Sequence, residues 1–181
     1  MRVIGGIYKG RNLIKPLNYD IRPTGAMVKE AIFGKLQFMI SGASALDLFA
    51  GTGAMGIEAL SRGASTVIFN DISPSAVKII RKNLENIRSS SKVYCLDYKD
   101  LLTRLKGSRM DFIFIDPPYK EDFSKTLLNL IAVNDILRAD GMIIYEHDRQ
   151  KDLNFDKTQY ILIDVKRYSS CAVSYLKRKN I

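Results

Sequence analysis

Four consecutive residues, Asp116-Pro117-Pro118-Tyr119, combine types that could carry out chemistry on an amino group. They follow residues 112–115, an apolar run typical of a fully buried strand, so Asp116 is expected where that strand ends. Neither proline has an N–H, so this turn offers a carboxylate and carbonyl oxygens but few donors. Such acceptors can hold the hydrogens of a nucleobase amino group and direct its lone pair toward an electrophile, while Tyr119 stacks on the base. The alternative is a rigid turn, because Asp and Pro are ordinary turn residues.

A glycine-rich loop over residues 51–56 (Gly-Thr-Gly-Ala-Met-Gly) follows an apolar strand and opens a helix. This G-x-G-x-x-G pattern occurs at nicotinamide and flavin sites as well as others. Asp71 lies at the end of the next predicted strand, 20 residues after Gly51, where a carboxylate can accept hydrogen bonds from both hydroxyls of a ribose. The two features together predict a cofactor that contains a nucleoside.

Two further carboxylates indicate which cofactor this is. Asp47 lies inside the first strand, and a carboxylate there suits a cationic ligand better than a pyrophosphate. Asp97 closes the third strand and is placed to accept from an adenine amino group, with Ile72 and Tyr98 as candidate walls. S-adenosylmethionine has an ammonium, a sulfonium and a ribose but no phosphate, so it is the predicted cofactor. The alternatives are that Asp47 caps a turn and that Asp97 begins the next helix.

Alternating strands and helices must position these residues. Strands are predicted over 45–49, 66–69, 93–96, 112–115 and 142–145, with helices over 51–61, 75–87, 101–105 and 127–137. This alternation predicts an α/β fold, a doubly wound, Rossmann-like, seven-stranded and mainly parallel sheet whose ligands bind beyond the carboxyl ends of its strands. The last two strands, over 160–168 and 171–176, are predicted to form an antiparallel hairpin.

The first forty residues depart from that alternation. Short apolar runs around Gly5-Gly6 predict a small β-hairpin, and a helix is predicted over 26–39. We therefore expect residues 1–40 to form an N-terminal basic extension that belongs to the same domain as the rest. Residues 41–181 are expected to form the catalytic domain.

Positive charge is concentrated at the two ends of the chain, whose formal net charge is +9. Residues 1–40 contain seven basic and two acidic side chains, and residues 166–181 contain five basic and none acidic. The intervening residues have 16 basic and 17 acidic side chains, which leaves them nearly neutral. Such segregation is typical of a polyanion-binding surface beside a neutral core. The alternative is a surface whose charge serves solubility alone.

Composition also suggests a compartment. The chain has no run of 18 apolar residues and no secretory segment at its start, which predicts a cytoplasmic protein without a membrane span. Cys95 and Cys171 lie in apolar runs and are expected to be buried thiols. The single histidine, His147, has no partners at metal-ligand spacing, so we expect no metal and a structural role for this residue. The alternative is that His147, beside Glu146, lines the pocket.

The motifs of the chain resemble a known family. Residues 46–53 and Asp116-Pro117-Pro118-Tyr119 together look like a class I S-adenosylmethionine-dependent methyltransferase that modifies amino groups. Further motifs are similar to the RsmD family of 16S ribosomal RNA guanine-N2 methyltransferases, and they lie at residues 2–6, 9–11, 22–24, 28–33 and 58–64. The resemblance covers nearly the whole chain, and its N-terminal motifs are the family-specific ones.

The resemblance implies a role for each residue of the predicted sites. The implied catalytic residues are Asp116, Pro117, Pro118 and Tyr119. The implied cofactor-binding residues are Asp47, Phe49, Gly51, Thr52, Gly53, Asp71, Ile72, Asp97 and Tyr98. The implied RNA-binding residues are Arg2, Lys9, Arg11, Arg22 and Thr24. The expected substrate is ribosomal RNA within a small-subunit ribonucleoprotein, and the expected enzyme is a monomer.

Two positions depart from the family pattern. Gly25-Ala26-Met27 stand where the family usually has a second threonine, an acid and a base, and Ser169-Ser170 stand where a glycine is usual. Both departures affect the expected contacts with the substrate more than the expected methyl-transfer reaction.

Three other functions use some of the same features. A DNA or RNA adenine-N6 methyltransferase has the same four-residue motif, but the DNA enzymes usually add a target-recognition region for which about 40 leading residues leave little room. A protein-glutamine methyltransferase usually has Asn in place of Asp116 and does not need two basic ends. A nucleotide-binding module without catalytic activity would need the glycine-rich loop but not the acceptor-rich turn.

Overall fold

The structure is a computed structural model, and it describes residues 1–15, 25–118 and 122–179. The chain forms two compact units, Met1–Leu96 and Asp97–Ile181. The first unit contains α1 (Ala26–Leu36), β1 (Ser44–Asp47), α2 (Ala54–Ser61), β2 (Thr66–Asn70), α3 (Pro74–Asn86) and β3 (Lys92–Tyr94). The second contains α4 (Tyr98–Arg104), β4 (Met110–Ile115), α5 (Ser124–Val133), β5 (Leu137–His147), β6 (Tyr160–Arg167) and β7 (Ala172–Arg178).

The strands form one seven-stranded sheet in the order β3-β2-β1-β4-β5-β7-β6. β1 pairs in parallel with β2, β2 with β3, and β4 with β5, whereas β7 pairs antiparallel with both β5 and β6. The predicted fold class, a mainly parallel doubly wound sheet that ends in an antiparallel hairpin, is confirmed. Parallel strands of this kind are buried on both faces, which explains the apolar run over residues 112–115 of β4.

Local sequence explains how the helix α3 begins. Ser73 caps its amino end by accepting a hydrogen bond from the N–H of Ala76 at 3.4 Å, and Pro74 occupies the first turn, where its missing N–H costs nothing. The buried residues of α3 recur at helical spacing, and they are Ala76, Val77, Ile80, Asn83 and Leu84. A buried Asn among these apolar residues is the exception, and its contacts are described below.

Several predicted elements have different limits in the structure. The helix predicted over 127–137 ends at Val133, because Asp135 takes a left-handed conformation (φ 51°) that reverses the chain before β5 begins at Leu137. The helix predicted over 26–39 ends at Leu36. Cys95 is exposed rather than buried, since β3 ends one residue before it, whereas Cys171 is buried as predicted.

The predicted N-terminal β-hairpin is reduced to a single bridge between Arg2 and Asn12. Gly6 and Gly10 turn the chain with φ values of 75° and 82°. Side chains of α2 and α3 bind the backbone of this segment directly, so its position does not depend on a ladder of strand hydrogen bonds. Among the described residues, no helix is both long and apolar enough to cross a membrane.

Candidate cofactor and substrate site

The glycine-rich loop turns sharply between β1 and α2. Gly51 and Gly53 have positive φ values of 54° and 78°, which glycine adopts without steric cost. The N–H of Gly53 donates to the carbonyl of Ala50 at 2.6 Å and closes the turn immediately before α2 begins. The turn therefore places the loop immediately before the amino end of α2.

Asp47 lies beneath this loop and is 4% exposed. Its Oδ2 accepts a hydrogen bond from the N–H of Gly56 at 2.8 Å. The pKa of Asp47 is raised to about 7, chiefly by burial and also by the charge of Asp71, while the hydrogen bond from the Gly56 N–H acts in the opposite direction. The negative charge of Asp47 is therefore costly in the absence of a nearby cation, and a cationic ligand would stabilise it.

Asp71 connects the loop after β1 with the loop after β2. One carboxylate oxygen accepts from the N–H of Gly51 at 2.8 Å and the other from the N–H of Ser73 at 2.9 Å. The structure thus brings Asp71 and Gly51 together through a direct hydrogen bond. A carboxylate has about four acceptor positions, so two remain that could accept from ribose hydroxyls. Ile72 follows with 66% of its surface exposed, as a wall of a ligand site would be.

Asn70 is a positioning residue that the sequence analysis did not identify. It is 1% exposed, and its Nδ2 donates to the carbonyls of Leu48 at 3.3 Å and Leu96 at 3.0 Å. Its Oδ1 accepts from the N–H of Leu96 at 3.3 Å. One side chain therefore fixes the segments that follow β1 and β3 to the end of β2. The signal in the sequence was an amide at the end of an apolar strand, where a polar side chain must find buried partners.

In the second unit, Asp97 caps the amino end of α4. Its Oδ1 accepts from the N–H of Lys99 at 2.8 Å. Asp97 thus begins the helix, which the sequence analysis gave as the alternative to binding of adenine. Tyr98 stacks on Phe123, with the ring centroids 5.3 Å apart and an interplanar angle of 17°. The sequence analysis did not single out Phe123, because a lone aromatic residue in a loop shows no periodicity.

Asp116 follows the last residue of β4 and is half-buried, while Pro117 is buried and Pro118 exposed. Tyr119, the fourth residue of the motif, lies outside the described residues. Burial raises the pKa of the Tyr145 phenol, and the charges of Asp122 and Asp116 contribute in the same direction. Asp116 therefore lies close enough to the end of β5 to act on its side chains electrostatically.

A small cavity of about 50 Å³ lies beside the two prolines, and His147 contributes to its lining. His147 is 8% exposed, and its Nε2 lies 2.8 Å from the hydroxyl of Ser174. Its Nδ1 lies 3.0 Å from the carbonyl oxygen of Asp148, which can only accept, so this nitrogen holds the proton. Burial lowers the pKa of His147. Both ring nitrogens thus have partners within the fold.

A buried ion cluster attaches the N-terminal segment to α2. Glu58 is 0% exposed and accepts from the N–H groups of Ile4 at 2.9 Å and Gly5 at 2.7 Å. Its carboxylate also lies 3.1 Å from Lys29 Nζ and 2.9 Å from Arg62 Nε. Burial alone would raise the pKa of Glu58, but these donors and cations hold it below its ordinary value. The cluster fixes the basic segment beside the helix that follows the glycine-rich loop.

Basic side chains line a groove of about 610 Å³ along the N-terminal segment. Arg2, Lys9 and Lys15 lie along it and are exposed, whereas Lys29 belongs to the buried cluster. We call this surface the basic groove. Arg11, also predicted to bind RNA, donates to the carbonyl of Asn86 and lies over the ring of Tyr8 at 5.5 Å. Arg22 and Thr24 lie outside the described residues.

The chain matches one protein family over nearly all of its length. The family described as "Conserved hypothetical protein 95" matches residues 1–177. The chain is 38% identical over 183 residues to the "Putative rRNA methyltransferase YlbH" of Bacillus subtilis, with 99% of this chain and 100% of that protein covered. It is 32% identical over 157 residues to "Ribosomal RNA small subunit methyltransferase D" of Haemophilus influenzae, with 84% and 81% covered.

Solved structures show the same architecture. A structure described as "Putative methyltransferase yhhF from Escherichia coli" matches with a TM-score of 0.88 at 28% identity, covering 99% of this chain and 98% of that one. A methylase structure from Haemophilus influenzae matches with a TM-score of 0.83 at 27% identity and the same coverage. The seven-stranded sheet and the N-terminal segment are thus both within the matched region.

Proposed function

The chain belongs to the Conserved hypothetical protein 95 family, the RsmD family predicted from its motifs, and from this premise we propose that it methylates ribosomal RNA of the small subunit. The methyl donor is S-adenosylmethionine, and the acceptor is the exocyclic N2 amine of a guanine. Relatives at 38% and 32% identity bear names of rRNA methyltransferases, which supports the substrate class.

Asp47 is the observation that carries the choice of cofactor. A pyrophosphate would add negative charge beside two carboxylates, one of which already has its pKa raised to about 7. S-adenosylmethionine instead brings an ammonium and a sulfonium, which stabilise the ionised form of Asp47. The free acceptor positions of Asp71 fit ribose hydroxyls, and exposed Ile72 fits an adenine face. Phe49, Thr52, Asp97 and Tyr98 complete the proposed cofactor-binding set.

The second unit supplies the residues proposed for the chemistry. Bound S-adenosylmethionine provides an electrophilic methyl group. The Asp116 carboxylate and the Pro117 carbonyl accept the two N–H bonds of the guanine amine and direct its lone pair at that methyl carbon. An N–C bond forms as the S–C bond breaks, and positive charge on the nitrogen is stabilised by Asp116. The methylated nitrogen then loses its proton to solvent. Pro118 and Tyr119 are proposed to shape the turn and to stack on the base.

The basic groove is the proposed contact with RNA phosphates. Arg2 and Lys9 present exposed charges there, and Arg11, Arg22 and Thr24 complete the predicted set. Phosphate contacts position a substrate without reading its sequence, so the groove accounts for orientation rather than for choice of nucleotide. We propose that residues 1–40 act in this way as part of one domain with residues 41–181, in a monomeric, cytoplasmic and metal-independent enzyme.

Nucleoside analysis tests the proposed reaction. Small ribosomal subunits from cells that lack this gene are incubated with the protein and S-adenosylmethionine, and their RNA is digested and analysed by mass spectrometry. We expect one N2-methylguanosine per subunit. N6-methyladenosine would instead indicate an adenine methyltransferase, and methylation of ribosomal protein alone would indicate a protein methyltransferase.

A further inference from the structure

Asn83 links the glycine-rich loop to the N-terminal segment. This residue of α3 is 0% exposed, and its Nδ2 donates to the carbonyl of Thr52 at 3.0 Å. The same amide accepts from the N–H of Ile14 at 2.7 Å and donates to the carbonyl of Ile14 at 3.3 Å. Both its N–H groups and its oxygen are engaged, so the amide joins two backbone segments through one buried side chain.

The two segments so joined have different proposed tasks. Thr52 lies between the two positive-φ glycines of the loop, where a cofactor would contact the backbone. Ile14 precedes Lys15 of the basic groove. A second contact runs in parallel, because the hydroxyl of Thr52 lies 3.7 Å from the sulfur of Met1, another groove residue. Movement of Thr52 therefore changes hydrogen bonds that hold the groove.

Burial makes this link sensitive to the position of the loop. Water cannot replace a lost partner at a fully buried amide, so the three bonds form together or leave polar groups unsatisfied. A ligand that holds Thr52 in the bonded position thereby favours the arrangement of Ile14 seen here. The reverse holds for a ligand that fixes the groove, because coupling between two binding equilibria is reciprocal.

We propose that Asn83 is a positioning residue that couples cofactor binding to RNA binding, an inference that depends on the proposed function. Occupation of the glycine-rich loop strengthens binding of RNA to the basic groove, and bound RNA strengthens cofactor binding by the same factor. Asn83 itself contacts neither ligand and acts only through Thr52 and Ile14.

Calorimetry on the full chain measures this coupling directly. The affinity for S-adenosylhomocysteine, which cannot donate a methyl group, is determined with and without saturating unmethylated small ribosomal subunits. The parent protein should show a coupling factor of at least about fivefold, at the lower end of ordinary allosteric coupling. Asn83→Leu removes all three bonds, and Asn83→Asp retains only the acceptor for the Ile14 N–H. Both variants should bring the factor to within about twofold of unity.

A matched control lies one turn further along α3. Asn86 is exposed, so Asn86→Leu changes the same residue type on the same helix without touching the link and should keep the parent factor. Where the Asn83 variants fail to fold, Ile14→Pro removes the N–H that Asn83 binds, at a residue that is 39% exposed, and should also lower the factor.

Several outcomes would overturn the inference. A purely structural Asn83 would lower the melting temperature of its variants but leave the coupling factor of the parent and variants equal. A parent factor within about twofold of unity would also overturn it, while methylation of the same subunits would leave the proposed function intact. Failure of the parent to methylate the subunits at all would overturn both.

Discussion

At the scale of single residues, two aspartates, one in each compact unit, have different electrostatic environments. Asp47 is almost fully buried beneath the loop, and its pKa is raised to about 7, so its charge depends on a cation. Asp116 is half-buried beside the end of β5. In the reaction that we propose, the first would bind a cationic ligand in the ground state and the second would stabilise charge that develops during transfer.

Replacing Asp116 should separate chemistry from binding. We expect Asp116→Ala to lower kcat by about 100- to 1,000-fold, the usual cost of losing one preorganised group that stabilises the transition state. Affinity for S-adenosylhomocysteine should be nearly unchanged. Single-turnover kinetics and calorimetry measure the two quantities. Asp111→Ala is the control, because Asp111 lies on the same strand and forms an ion pair with the exposed Arg138 at 3.3 Å. Equal losses of turnover and cofactor affinity would mark Asp116 as a structural residue.

The raised pKa of Asp47 predicts how cofactor affinity depends on pH. The folded protein retains this proton up to about pH 7, whereas an ordinary aspartate loses it near 3.8. A cationic ligand binds the ionised form, so affinity should rise as pH increases from 5.5 to 7, by at most about tenfold per unit. Calorimetry should also detect a proton released on binding below pH 7.

The raised pKa of Asp47 also makes the free energy of unfolding depend on pH, but in the opposite direction to cofactor affinity. Between pH 3.8 and about 7 the folded state binds the Asp47 proton more tightly than the unfolded chain does, so the contribution of Asp47 to the free energy of unfolding falls as pH rises. Asp47→Asn should flatten both the affinity profile and this part of the stability profile. Affinity that is independent of pH in the parent would contradict a cation beside Asp47.

At the scale of elements, the packing of α2 on β2 determines where the loop lies. Gly56 faces Phe69 so closely that an added Cβ would lie 2.2 Å from the ring carbon Cε1. Its N–H also binds Asp47 at 2.8 Å. The third glycine of the pattern thus serves helix–strand contact and holds the buried carboxylate, and neither role concerns phosphate.

Gly56→Ala should therefore destabilise the protein although alanine is the better helix former. Overpacking against Phe69 should cost about 1 to 3 kcal/mol of unfolding free energy and weaken cofactor binding through displacement of Asp47. Gly34→Ala is the matched control, because this glycine of α1 has nothing within 4 Å of the new Cβ. The control should gain about 0.5 to 1 kcal/mol. Urea unfolding measures both, and a Gly56 variant as stable as the control would refute the close contact.

At the scale of the whole molecule, basic side chains are concentrated at the ends of the chain, whereas the proposed catalytic and cofactor-binding aspartates lie in its nearly neutral middle. The basic groove lies on the N-terminal segment, and the middle of the chain is nearly neutral. Long-range attraction would bring RNA to the groove without placing cations beside Asp47 or Asp116, whose function needs acceptors.

Removal of the groove charges should change the salt dependence of RNA binding. Replacing Arg2, Lys9 and Lys15 with alanine removes up to three phosphate contacts, so the slope of log K against log salt should flatten by about 2 for single-stranded RNA. A control with equal change in net charge is Lys106, Lys125 and Lys157 to alanine, all exposed in the second unit. Filter binding over a salt series gives the slopes. Identical slopes for the two variants would show that net charge alone matters.

Sequence patterns alone were enough to predict the fold class, the family and the positions of the acidic residues at strand ends. Continuous apolar runs separated by helical periodicity leave few alternatives to a parallel sheet, and side chains that follow such runs must lie at its carboxyl edge. Asp71 was expected at the end of the second strand on this ground, and it follows β2, which ends at Asn70. Periodicity and short motifs are both local properties of the sequence, and these features depend only on them.

Helix ends and the contacts between distant segments could be seen only in the tertiary structure. Asp135 ends the helix predicted to reach residue 137, and the predicted hairpin at the start of the chain is one bridge held by Glu58 and other side chains. Asn70 and Asn83 have no sequence signal beyond a polar residue in an apolar element, yet each joins segments far apart in the chain. The physical reason is that a buried amide must satisfy its donors and acceptors, and only the folded chain determines which backbone groups are within reach.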